Sequence, residues 1–96
     1  MNIEINHVEG KQKKQVMLYA LSTCIWCRKT KMLLNELGIS YDYVDVDLLT
    51  HEEQERVSEI IKKFNPNAGF PTIVINDSES ISGFDERKIR EVLADE

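Results

Sequence analysis

The chain has 96 residues, of which 42% are hydrophobic and 30% charged, and its formal net charge is −5. That length supports one modest core, and the balance of apolar and charged residues is that of a folded soluble domain. An acidic chain without a long basic run is a poor match for nucleic acid or an anionic membrane surface, and no apolar run approaches the ~20 residues of a membrane span.

Residues 1–14 read as an N-terminal extension and 15–96 as one α/β domain. Within the extension Ile3, Ile5 and His7 alternate with Glu4 and Asn6, the pattern of a short half-buried strand. Met1 to Gly10 lack an apolar signal-peptide core, so a cytoplasmic location is expected. The polar link from Glu9 to Lys14 leads into Val16-Met17-Leu18-Tyr19-Ala20-Leu21, a continuous apolar run of the kind that forms a strand buried on both faces. Ser22 and Thr23 are of the types that cap helices, and Trp26, Thr30, Leu33, Leu34 and Leu37 follow at helical spacing up to Gly38.

Tyr41 to Asp47 reads as a second strand, aromatic and β-branched. Thr50 and Glu53 form a capping box opening a helix with Val57, Ile60, Ile61 and Phe64 on one stripe, which Pro66 ends. Thr72 to Ile75 is a third strand. Asn76-Asp77 makes a turn, Glu79 to Ser82 a short fourth strand, and Asp85 caps a last helix striped by Ile89, Val92 and Leu93. The order β-α-β-α-β-β-α, with a right-handed crossover between the first two strands, predicts a mixed four-stranded sheet flanked by three helices.

The two cysteines are spaced Cys24-Ile25-Trp26-Cys27. Secreted disulfide scaffolds of this size usually carry more, so the pair reads as redox-active or metal-binding. Cys24 falls at a strand-to-helix junction, where unpaired backbone N–H groups and the positive end of the helix dipole favour an anion. Only a thiolate attacks disulfides. Cys27 lies three residues on, on the same helix face, at a separation that a disulfide spans. Cys24 is therefore the attacking thiol and Cys27 the resolving one. Two other readings exist. The pair could be small buried hydrophobes, or it could join His7 and His51 in a Cys2His2 zinc site, although the histidines are far apart in sequence.

Among the remaining residues, Trp26 suits either substrate contact or packing. Arg28, Lys29 and Lys31 read as an exposed basic helix face, and Asp45 and Asp47 as a solvated or strand-end face. Asp45 and Asp47 also have a weaker reading as proton acceptors for Cys27. Phe70-Pro71 opens the third strand. It is either an ordinary proline at a strand start or a cis bond facing the dithiol, with the backbone of residue 70 open to an incoming peptide. The upstream dithiol favours the second.

From Val16 to Leu93 the sequence resembles the glutaredoxin family of the thioredoxin superfamily. The resemblance rests on Tyr19 to Cys27, on Phe70-Pro71-Thr72 and on Ser82-Gly83-Phe84-Asp85. It implies a thioredoxin fold, thiol–disulfide oxidoreductase activity, Cys24 as nucleophile, Cys27 as resolving thiol and Pro71 as a cis-proline. Trp26, Phe70, Pro71, Gly83 and Phe84 would then line the substrate groove. No resident cofactor is implied beyond the redox-active disulfide, and the partners implied are disulfide-containing proteins and an electron donor, acting on a monomer.

Four departures bear on glutathione. Leu21 stands where many glutaredoxins have a glutathione-contacting lysine, and Gly69-Phe70 where they have Thr-Val. Ser82-Gly83 replaces Gly-Gly, and Ile25-Trp26 replaces Pro-Tyr. Ser82-Gly83-Phe84 looks like the NrdH-type redoxins that serve ribonucleotide reductase, and the whole pattern looks like glutaredoxin-like proteins of anaerobic archaea. The resemblance therefore points to a protein reductase, either thioredoxin reductase or a ferredoxin-linked enzyme, as donor. A glutathione-dependent glutaredoxin and an iron–sulfur or metal module are the alternatives.

Overall fold

The structure, a computed structural model, describes residues 3–67 and 69–94. Its elements run β1 (Asn6–Val8), β2 (Val16–Ala20), α1 (Ile25–Leu37), β3 (Tyr41–Asp45), a 3-10 turn (Val46–Leu48), α2 (His51–Phe64), β4 (Thr72–Ile75), β5 (Glu79–Ser82) and α3 (Glu86–Leu93). The expected order is present with one strand more. The sheet has five strands in the order β1-β3-β2-β4-β5. β2 and β3 are parallel neighbours, β4 runs antiparallel to β2, and β5 antiparallel to β4.

β2 sits at the centre because its side chains are apolar on both faces. Val16, Leu18 and Ala20 join a cluster with Leu33 and Leu34 of α1, Ile73 and Ile75 of β4, Ile81 of β5, and Ile89 and Leu93 of α3. Tyr19 points the other way, with Val44, Val46 and Val74, against Val57 and Ile61 of α2. One helix on one face and two on the other thus follow from a single alternating strand. Each fully buried aliphatic such as Leu18 or Ile73 contributes about 1.5–3 kcal/mol.

The local signals are realised closely at several ends. Gly38 closes α1 in a left-handed conformation with φ 72°. Thr50 and Glu53 form both halves of the capping box, and the Asp85 carboxylate accepts from Lys88 N–H. The β4–β5 hairpin turns through Asn76 and Asp77, both at positive φ, and closes with Ser78 N–H donating to the Ile75 carbonyl.

Other boundaries differ from expectation. The extension contributes an edge strand at Asn6–Val8 rather than at Ile3 to His7, and Ile5 is half exposed. The strand is placed by pairing with β3, in the register Asn6↔Tyr43, His7↔Asp42 and Val8↔Tyr41, rather than by its own apolar residues. The second predicted strand stops at Asp45, because Asp47 turns aside to accept hydrogen bonds from Ser22. Ile60 lies at the edge of its stripe and is 39% exposed, so Val57 and Ile61 carry the packing of α2.

Two contacts tie the N-terminal segment down. A Cβ built on Gly10 would lie 2.5 Å from the backbone carbon of Ile39, whereas on Gly69 the nearest atom is 3.9 Å away. We expect Gly10→Ala to lose about 1–3 kcal/mol in urea unfolding, since backbone cannot swing aside, while Gly69→Ala stays near wild type. His7 Nδ1 lies 2.6 Å from an Asp42 carboxylate oxygen across the β1–β3 pair. That hydrogen bond, then the charges of Asp42 and Glu9, raise the His7 pKa above 6.5. The ion pair therefore holds fully below the unfolded value and is lost as pH rises through the raised one. NMR titration should place His7 above a His7-containing peptide, and Asp42→Asn should bring the two together.

Candidate active site

β2 and β4 bring the dithiol and the proline to one end of the sheet. The register pairs Tyr19 with Thr72, so Pro71 comes beside Ala20, where the chain leaves β2 for Cys24. The Phe70–Pro71 bond is cis. The Thr72 hydroxyl donates to the Gly69 carbonyl at 2.7 Å and accepts from Asn65 Nδ2 at 3.1 Å, which anchors this loop to the end of α2. Gly83, at φ 77°, donates its N–H to the Pro71 carbonyl at 2.7 Å. The left-handed turn there releases β5 from the sheet and places Phe84 beside the loop.

The cap of α1 is Cys24 itself, not Ser22 or Thr23. Its sulfur accepts from the Cys27 N–H at 3.2 Å, where a serine or aspartate oxygen normally acts. Ser22 is otherwise engaged. Its N–H and hydroxyl donate to the two Asp47 carboxylate oxygens at 2.8 and 2.5 Å. The hydroxyl bond and then the backbone bond hold the Asp47 carboxyl below its ordinary value. The loop before Cys24 is thus clamped to the turn after β3.

Both cysteines are free thiols, Cys24 partly exposed and Cys27 buried. Cys27 Sγ accepts from the Leu21 N–H at 3.5 Å. Burial first, then the hydrogen bond with Cys24, push the Cys27 thiol up to about 12, against the pull of the Leu21 N–H and the Lys31 charge. The two sulfurs therefore differ in access, and Cys27 is held as a neutral thiol.

Next to the dithiol lies an open cleft lined by Trp26, Phe70, Pro71, Gly83 and Phe84. Trp26 is 52% exposed and does not belong to the buried stripe of α1, which is Cys27, Thr30, Leu33 and Leu34. Its ring stacks on Phe84 with centroids 5.8 Å apart, and Lys29 Nζ stands 4.9 Å from its centroid. The fold brings these five residues together around one cleft. Two features lay outside the expectations. Lys31 is turned inward onto Asp45 at 3.0 Å and over the Tyr43 ring at 4.1 Å, so it does not share the exposed basic face, and Asp45 ends β3 but is largely shielded from solvent. The signal available for Lys31 was its place four residues after Cys27. The Ser22–Asp47 clamp had no signal in the sequence.

The structure does not gather the zinc set. His7 pairs with Asp42 toward the far end of the sheet, and His51 faces Glu55 at 3.3 Å in the first turn of α2. Among the described residues no group of three or more histidine, cysteine or acidic side chains is placed to hold a metal ion. No helix among them is long and apolar enough to cross a membrane.

A dithiol at the end of a central parallel strand, with a cis-proline beside it, makes the chain a redox protein of the thioredoxin fold. The comparisons narrow this class. A family model described as Glutaredoxin matches residues 16–79, and the chain belongs to the glutaredoxin family of thiol–disulfide oxidoreductases. Among solved structures it is similar to a glutaredoxin from Methanosarcina mazei Go1, with 49% identity and TM-score 0.88, covering 95% of this chain and 88% of that one. It is also similar to Methanosarcina acetivorans methanoredoxin, with 45% identity, TM-score 0.86 and 90% of each chain covered. Glutaredoxin 1 of Rickettsia prowazekii is 34% identical over 71 residues, which span 74% of this chain and 70% of that protein.

The contrast between the sulfurs is directly measurable. Iodoacetamide at about pH 7.5 should label Cys24 and leave Cys27 unmodified until the chain is unfolded. Peptide mapping that found Cys27 labelled first would reverse the roles of the two thiols.

Proposed function

We propose that the protein reduces disulfides in other proteins and is itself re-reduced by a reductase protein rather than by glutathione. Cys24 attacks the substrate disulfide. One substrate sulfur leaves as a thiol and the other stays bound to Cys24. Cys27 then attacks Cys24 Sγ, the second substrate thiol departs, and a Cys24–Cys27 disulfide remains. The backbone at Phe70 would hold the substrate segment in extended form, with Trp26, Gly83 and Phe84 flanking it. The redox-active pair is the whole of the chemical equipment on this reading, and a reducing compartment such as the cytoplasm is where it would act.

The observation that carries the choice of donor is the character of the cleft. The cleft is lined by three aromatic rings, a proline and a glycine, with the Lys29 ammonium over the Trp26 ring. Leu21, in the place of the family's glutathione-contacting lysine, packs its side chain on the Tyr19–Val57 cluster. Glutathione carries two carboxylates and an ammonium. Losing one charge-assisted hydrogen bond, about 1.5–3 kcal/mol, weakens such a ligand by roughly one to two orders of magnitude. The likeness to a protein named methanoredoxin is in keeping with a donor other than glutathione.

A donor panel tests this. Insulin reduction would be followed with glutathione, glutathione reductase and NADPH, with thioredoxin reductase and NADPH, and with a ferredoxin-linked reductase, beside a dithiothreitol control. We expect turnover with one of the protein reductases to exceed the glutathione arm by about tenfold or more. Robust turnover with glutathione, at or above the reductase arms, would make the protein a glutathione-dependent glutaredoxin.

A further inference from the structure

Resolution of the mixed disulfide raises a difficulty that the cleft does not address. Cys27 has no exposed surface, and it must act as a thiolate to attack Cys24. Burial opposes that charge, so some group must favour it at the moment of attack.

We infer that Lys31, held in place by Asp45, is a positioning residue for the resolving step: its ammonium is fixed over the Cys27 side of the first helix so that negative charge can develop on the Cys27 sulfur. This rests on the dithiol reading above and adds a further member to the same reaction.

Three features of placement support the inference. Lys31 follows Cys27 by four residues in α1, so the two side chains leave the same helix face, with Cβ atoms about 5–6 Å apart. A surface lysine would be free to swing away, but Lys31 is held at both ends of its reach. Nζ is 3.0 Å from Asp45 Oδ1 and 4.1 Å from the Tyr43 ring centroid. The side chains of Lys31 and Asp45 are only 24% and 15% exposed, whereas the ion pairs at His51–Glu55 and Arg87–Glu91 lie in open solvent. Less water around the cation means less screening of its field. Tyr43 in turn packs against the cluster that contains Cys27, so the cage and the thiol belong to one packed unit.

The Leu21 N–H and, after it, Lys31 favour the Cys27 thiolate, and Lys31 is the one that brings a charge, whereas Cys24 opposes it. Behind Lys31 stand the carboxylates of Asp45 and, more weakly, Asp47. Asp45 partly offsets the lysine charge, so its contribution is to fix the ammonium rather than to strengthen it.

The step balances without an added reactant. The Cys27–H bond breaks, a Cys24–Cys27 S–S bond forms and the Cys24–substrate S–S bond breaks. The electron pair of that bond leaves on the substrate sulfur, and the proton given up by Cys27 ends there through solvent. The dithiol is oxidised and the substrate reduced.

The test separates the two half-steps in the full-length protein. The first is the attack of Cys24 on a disulfide probe, read in the Cys27→Ser background as formation of a stable mixed disulfide. The second is release of the second probe thiol, read in stopped flow with both cysteines present, as a function of pH. We expect Lys31→Met to leave the first within about twofold and to slow the second by about three- to tenfold near neutral pH, with its pH profile moved to higher pH. The sign follows from removing a cation, which disfavours the thiolate. Lys31→Arg should restore both rate and profile, and Asp45→Asn should give an intermediate loss. Equal slowing of both steps, or a release profile that Lys31→Met does not move, would overturn the inference. Failure of the Cys27→Ser protein to form any mixed disulfide would instead overturn the dithiol reading itself.

Discussion

The central strand Val16–Ala20 is buried on both faces, and it must end where the sheet ends, because a polar loop cannot continue between two layers of apolar side chains. The chain leaves the sheet at Leu21 and enters a helix within four residues. The residue in the capping position is Cys24, so the reactive sulfur occupies the one place where backbone donors of a new helix lack partners of their own. Exposure of Cys24, burial of Cys27 one turn deeper, and the nearness of Pro71 all follow from where this strand stops and which strand lies beside it.

The geometry then assigns different work to two chemically identical side chains. Cys24 Sγ takes the Cys27 N–H at the rim of the domain. Cys27 lies inside the cluster formed by both helices of that face, and burial holds it as a thiol. On the proposed mechanism, a pair so divided suits the outer sulfur to the first attack and the inner one to resolution of the mixed disulfide. The clamp from Ser22 to Asp47 ties the loop that carries Cys24 to the turn after the neighbouring parallel strand.

The cleft beside the dithiol is mainly aromatic. Trp26 and Phe84 stack between α1 and the start of α3, and Phe70 and Pro71 line the cleft from the loop that precedes β4. Aromatic surface of this kind gains by excluding water from a partner's apolar side chains.

Much of this was legible in the residues. The uninterrupted apolar run required a central strand, the Cys-x-x-Cys after it required a helix start, and Thr50-x-x-Glu53, Gly38 and Asn76-Asp77 marked their ends by local chemistry that acts within four residues. Such signals survive in any tertiary setting, because the groups they satisfy are neighbours in the chain. What depended on distant partners was not legible. The alternation in the extension marked a short strand, but its bounds at Asn6–Val8 were set by pairing with the edge of β3. Asp45 and Asp47, two residues apart in an alternating pattern, look alike in sequence. Only the fold sends one to Lys31 on α1 and the other to Ser22 on the catalytic loop. The sequence by itself determined the topology of the core and the chemistry of the dithiol, through apolar burial and local hydrogen bonding. The tertiary structure alone decided which charged side chains face that dithiol, because a charge has no preferred partner until packing brings one within reach and removes the water between them.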